Sequence, residues 1–255
     1  RETMADQEMS VFEHLAELRR RLLAIFLPVV VCSGIVYFQV PFLVKFLEEP
    51  IRKYQLRLVY FTLTEGFTTR FKIALFISVV VLSPLIFYQI LAFIHPGLTG
   101  KERRIIYRSL FWLSLFFIMG VAIGYLFCFP MMIRFLISYG KGYMVPVFSG
   151  NTYFSFMVML GLIMGATFIL PLIIIALGKL TVINYRILKK GRKYVIIGGV
   201  FLAGLIAPVT DFVTFLFLIL PHLILYEISI WVVFFHERRK AKQENELYTK
   251  NDIGD

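Results

Sequence analysis

Residues 142–178 read GYMVPVFSGNTYFSFMVMLGLIMGATFILPLIIIALG, thirty-seven consecutive positions without one charged side chain. A helix rises about 1.5 Å per residue, so about 20 apolar residues cross a hydrocarbon core about 30 Å thick. Residues 153–178 of this stretch are long enough to do so, and that places the chain in a bilayer. Working outward, further uncharged runs lie at 22–44, 73–94, 109–133, 194–210 and 212–226, the last continuing past Glu227 to residue 235. The expected spans are about 22–44, 72–94, 109–132, 153–178, 194–207 and 212–235. Residues 194–207 would rise only roughly 21 Å as a helix, which requires a thinned bilayer or shelter by neighbours. The sixth run spans only with Glu227 near a membrane surface.

The charge between these runs is lopsided. Of 27 Lys and Arg, 19 fall in the N-terminal segment, the second–third and fourth–fifth loops and the C-terminal tail. Six spans put those four regions on one side, and the positive-inside rule makes that side cytoplasmic. The expected fold is an all-α integral membrane protein: six transmembrane helices, N-in/C-in, last two spans short, forming one polytopic domain. Residues 1–21 form a cytoplasmic N-terminus whose stretch 10–23 is amphipathic, and residues 236–255 form a mixed-charge tail expected to be disordered. The net charge of +11 is accounted for by loops facing anionic lipid, so no nucleic-acid partner is expected. About twenty polar residues precede the first span, so no cleavable leader is expected. Cys32 and Cys128 lie within spans and read as small apolar-like thiols, with no disulfide or metal site.

Local signals refine the outline. Pro28 should kink the first helix, and Pro84 the second, which Pro96 should end. Phe42, Leu43, Phe46 and Leu47 suggest a short surface helix stopped by Pro50; residues 56–64 are extended in character, and Thr64 is placed to cap the second helix. Gly120-x-x-x-Gly124 and Gly161-x-x-x-Gly165 are small-residue pairs that permit close helix contact. His14, His95, His222 and His236 are scattered, and neither a phosphate loop nor a nucleophile turn occurs. No enzymatic activity and no cofactor are expected. The middles of the first five spans carry no ionisable residue, which argues against an ion-coupled small-solute transporter.

Two segments are more specific. Residues 13–23 (EHLAELRRRLL) and 83–104 (SPLIFYQILAFIHPGLTGKERR) closely resemble the TatC family, the receptor subunit of the twin-arginine protein translocase. Residues 64–67, Ala207-Pro208 with Asp211, and Pro221 with residues 225–229 (LYEIS) extend the resemblance over about residues 10–235. The resemblance implies a receptor for twin-arginine signal peptides on folded cargo. That receptor recruits TatA- and TatB-type single-span subunits and further TatC copies among membrane lipid, and is driven by the proton-motive force. It also implies a bacterial or archaeal cytoplasmic membrane, or the thylakoid in plastids.

Two guanidiniums need carboxylates in fork geometry. The resemblance makes Glu102 the acid that receives the arginine pair, with Phe93 and Pro96 shaping its loop, and matches Glu17, Arg19 and Arg21 to the family's N-terminal acid and basic positions. Each residue also has a plainer reading. Thr99 to Glu102 is a capping box for the third helix, and Glu17 can simply pair with Arg21 four residues on. Arg19 and Arg21 can be stop-transfer charge, Phe93 interfacial packing, Pro96 a helix stop and Asp211 a cap. Glu227 sits either at the inner surface or paired inside the bundle. Pro50, Asp211, Glu227, Ile169 and Gln89 are candidate structural or partner contacts. Ile169 marks a departure: the family's fourth span usually has Phe-Glu-x-Pro or a polar replacement of the Glu, where this chain has Phe168-Ile169-Leu170-Pro171. Gln89 and Thr167 are polar but cannot supply that charge. A TatC-like scaffold or paralogue impaired in partner recruitment is therefore the alternative reading.

Overall fold

A computed structural model describes residues 11–94, 100–139, 147–179, 185–206 and 212–252. Helix α1 (Val11–Leu47) is followed by α2 (Glu49–Arg52), strand β1 (Leu58–Val59), α3 (Glu65–Val81) and α4 (Ser83–Ile94). Then come α5 (Gly100–Ile123), a π-helical turn (Gly124–Cys128), α6 (Phe129–Tyr139), strand β2 (Phe148–Ser149), α7 (Gly150–Lys179), α8 (Tyr185–Ile206) and α9 (Phe212–Asp252). Among the described residues, four helices are long and apolar enough to cross a membrane, and the bent pair α3–α4 makes a fifth candidate. Leu22, Phe26, Leu27, Val31, Ile35 and Phe38 of α1 are all exposed, which is untenable in water and ordinary against lipid. The apolar part of α8, from Tyr194, is short, as its sequence implies, and its first turns carry Arg186, Lys189, Lys190, Arg192 and Lys193.

Helix α7 is the centre of the bundle, packing along α5, α9 and α3. Both glycine pairs lie in its contact with α5. A Cβ on Gly120 would sit 2.5 Å from the Met164 carbonyl oxygen and 2.9 Å from the Gly165 Cα. A Cβ on Gly165 would meet the Phe117 ring at 2.5 Å, and one on Gly161 the Phe76 ring at 2.8 Å. Buried Phe129, Met132, Tyr153, Met157, Leu160 and Met164 fill one end of the bundle with Val40, Ile51 and Ile73. A second cluster joins Phe76, Leu113, Phe117, Val121 and Ile169. A third, of Leu188, Tyr226, Ile230 and Val233, holds α8 on α9.

Several local expectations change. Residues 42–47 are the last turns of α1, not a separate surface helix, because the helix continues through Pro28 and Pro41. Pro50 does not stop a helix; it lies in the first turn of α2, where its missing N–H is not needed. Thr64 occupies the cap position of α3 without capping by its side chain. Glu65 does the local work instead: one of its oxygens accepts from the Phe61 N–H and the Ser149 hydroxyl, both at 3.2 Å. That ties α3 to the parallel pair β1–β2, in which Leu58 faces Phe148. The kink expected at Pro84 is present: α3 and α4 are bent by 62° at the break between Val81 and Ser83, which puts Pro84 in the first turn of α4. Pro96 lies outside the described residues, and α4 ends at Ile94. The tail is helical as far as Asp252 where disorder was expected. Residues 237–250 are rich in strong helix formers, and Glu246 precedes Lys250 in the favourable spacing.

The glycine crossing predicts an asymmetric tolerance. Gly120→Ala should destabilise the purified protein by about 1–3 kcal/mol, because backbone must shift to admit the methyl. Gly34→Ala, with nothing within 4 Å of its new Cβ, should leave the melting temperature in detergent unchanged or raised.

Candidate functional site

The charged end of α1 lies against α4, antiparallel to it, and two contacts pin the helices. His14 stacks on Phe93 with ring centroids 4.5 Å apart and planes 20° from parallel. Two turns further along α1, Arg21 Nη1 donates to Gln89 Oε1 at 3.4 Å. Between these levels sits Glu17, whose Oε1 accepts from Arg21 Nε at 2.8 Å and also from Arg21 Nη2. The two side chains are only 18% and 25% exposed, so this pair feels less screening than an ordinary surface ion pair. Glu17 Oε2 is buried and has no partner among the described residues.

The structure therefore brings Glu17, Arg21, Gln89 and Phe93 into one cluster. The pair that spacing suggested between Glu17 and Arg21 is present, and it does not exhaust the carboxylate. Arg19 points elsewhere: it is exposed and lines the rim of an apolar groove of about 570 Å³. Leu15, Leu18, Leu22, Phe26 and Val29 of α1 form one wall, and Val79 and Ile86 across the α3–α4 bend form the other. Glu102 is the third residue of α5, which packs on α4; the position of its side chain, like Pro96 and Asp211, lies outside the described residues. His14 was not picked out by sequence reasoning. The available signal was its place three residues before Glu17, on the same helical face.

The remaining candidates lie apart from this cluster. Pro50 is buried with Ile51 beside α6. Glu227 bonds Arg192 Nη2 at 2.8 Å between α9 and α8, with both side chains about 40% exposed; the pair contributes at most about 1 kcal/mol. Ile169 is 8% exposed and packs with Phe76, Leu113, Phe117 and Val121. Nearby, the Thr167 hydroxyl lies 3.5 Å from His222 Nδ1. Buried Ser33, Ser78, Ser114 and Ser229 each donate to the carbonyl four residues earlier, so their hydroxyls are spent on their own helices.

A family model described as "Sec-independent protein translocase protein (TatC)" matches residues 13–221. The chain belongs to the TatC family. It is 32% identical over 241 residues to the TatC protein of Carboxydothermus hydrogenoformans, covering 94% of this chain and 99% of that one. It is 34% identical over 231 residues to the chloroplastic TATC of Pisum sativum, covering 89% of this chain and 65% of that one. A crystal structure described as twin arginine translocase receptor TatC superposes with a TM-score of 0.79 at 31% identity, over 88% of this chain and 99% of that one. The TatC fold thus carries the Glu17 cluster at the junction of α1 and α4, inside the matched region.

The apolar setting of Ile169 generates a prediction. Restoring the carboxylate usual in the family, as Ile169→Glu, buries a charge among aromatic and aliphatic side chains. It should cost about 3 kcal/mol, read as a lower melting temperature in detergent, and Ile169→Leu should cost far less.

Proposed function

We propose that the chain is a twin-arginine signal-peptide receptor and the core of a translocase that exports folded proteins. The observation that carries this reading is the Glu17 carboxylate, half committed to Arg21 and with its other, buried oxygen unpartnered among the described residues, next to the helix that α5 and Glu102 follow. In the proposed complex Glu17 and Glu102 share the two guanidiniums, while Phe93 and Pro96 shape the loop between them. Arg19 lines the apolar groove, which in this proposal takes the apolar stretch following the arginine pair. TatA- and TatB-type subunits and further TatC copies are the proposed partners, gathered without a fourth-span carboxylate. The proposed setting is a bacterial or archaeal cytoplasmic membrane or a thylakoid, with six spans and both termini inside. The small-solute alternative is disfavoured, because the buried serine hydroxyls bond their own backbone and do not line a polar pocket. The scaffold alternative is separated by complementation: export restored in cells lacking their own TatC eliminates it.

The direct test is binding of a labelled twin-arginine signal peptide to the detergent-purified protein, beside its Lys-Lys version. Affinity should fall about tenfold or more for Lys-Lys and for Glu102→Gln, as expected for loss of a charge-assisted fork. Equal affinities in all cases would overturn the receptor reading. Topology is tested separately with single cysteines in a protein with Cys32 and Cys128 replaced. Val145→Cys should react with an impermeant reagent from outside, and Lys190→Cys and Asn245→Cys only from the cytoplasmic side.

A further inference from the structure

Arg21 spends two guanidinium donors on a single oxygen of Glu17 and turns a third toward Gln89 on the neighbouring helix. An arginine free to choose its geometry gives one donor to each carboxylate oxygen. Here the guanidinium is held between α1 and α4, and the carboxylate is gripped from one side only. Its second oxygen has no exposed surface and no partner among the described residues. Native structures rarely leave a buried acceptor in that state, and a carboxylate oxygen is a demanding one. One turn earlier, the His14–Phe93 stack joins the same two helices, so Glu17 lies between two fixed points.

We propose that Arg21 and Gln89 are positioning residues, not peptide contacts: together they hold Glu17 by Oε1 and present Oε2 to one guanidinium of the arginine pair. The proposal rests on the receptor reading above and deepens it by separating the residues that touch the peptide from those that aim them. It also accounts for a preference for arginine over lysine at this point. A guanidinium is planar and weakly hydrated, and it can lie beside Arg21 on the far oxygen. An ammonium must shed a tightly held hydration shell to enter the same buried spot and offers no fork. Arg21 already neutralises Glu17 once, so the incoming charge is bound by directed hydrogen bonds more than by net attraction.

The test compares Arg-Arg and Lys-Lys peptides on wild type, Glu17→Gln, Arg21→Gln, Arg21→Lys, Gln89→Leu and the double variant Glu17→Gln/Arg21→Gln, with melting temperatures measured alongside. Arg21→Gln and Gln89→Leu should each weaken Arg-Arg binding by about tenfold and leave Lys-Lys binding unchanged, so that the ratio of the two affinities falls toward one. Arg21→Lys keeps the charge but not the fork, and should not restore the ratio. Adding Arg21→Gln to Glu17→Gln should cause no further loss, because a positioning residue acts only through the group it positions. Wild-type affinity or tighter binding in Arg21→Gln would overturn the proposal by making Arg21 a bystander or a competitor. An equal loss for both peptides would overturn it by making the effect general. Gln89→Leu leaves the Glu17–Arg21 pair intact, so it decides the matter if Arg21→Gln does not fold. A wild-type protein that does not distinguish the two peptides would instead sink the receptor reading itself.

Discussion

The contact between α5 and α7 admits no side chain at Gly120 or Gly165, and the rest of the bundle is arranged around that approach. In lipid, burying apolar surface between helices gains little, because the tails outside are as apolar as leucine. Close backbone approach and shape must supply the specificity. Phe117 lies over Gly165, and Phe76 of α3 lies over Gly161, so the crossing fixes α3 as well. From α3 the chain bends 62° into α4, and α4 carries Gln89 and Phe93 to α1. The candidate site therefore depends on a crossing of two helices that contribute none of its described side chains.

A second constraint acts at the helix ends, where carbonyls and N–H groups lose their partners within the helix. The Tyr125 hydroxyl donates to the Phe46 carbonyl at 2.7 Å, and the Tyr153 hydroxyl to the Leu47 carbonyl at 3.0 Å, which satisfies the last turn of α1. At α3, Glu65 accepts from Phe61 and Ser149, and the two-residue strands pair beside it. Lys72 donates to Asn151 and Ser155 at 2.8 Å and ties the middle of α3 to the start of α7. These bonds add polar ties at the end of the bundle that the first apolar cluster fills.

Much of this was legible in the sequence, and the misses share a cause. Uncharged length marks helices in lipid because the requirement on backbone hydrogen bonding is absolute there. The bend at Pro84, the close glycines and the Glu17–Arg21 pair follow from local rules that tertiary packing did not override. Pro50 and Thr64 were misread because a proline or a threonine near a helix end has two uses, and only the neighbouring segment decides between them. Strand β1 has its partner about ninety residues away at β2, so Glu65 replaced Thr64 as the acceptor for a reason no local window contains. Gln89 and His14 were hard to place for the same reason: their roles come from which helix lies opposite.

Ile169 shows where this chain puts its electrostatic cost. A carboxylate at position 169 in the fourth span would sit among Phe76, Leu113, Phe117 and Val121, an apolar cluster. The Glu17 side chain is nearly as enclosed at 18% exposure, but Arg21 neutralises it. Charge interactions are strongest where water is partly excluded, and they are useful only where a ligand can still arrive. In the proposed receptor the junction of α1 and α4 meets both conditions, and the interior of α7 meets only the first. The proposed recognition of a charged peptide accordingly uses the end of the bundle. Between α7 and α9, the Thr167 hydroxyl and His222 Nδ1 place a polar contact within the apolar packing.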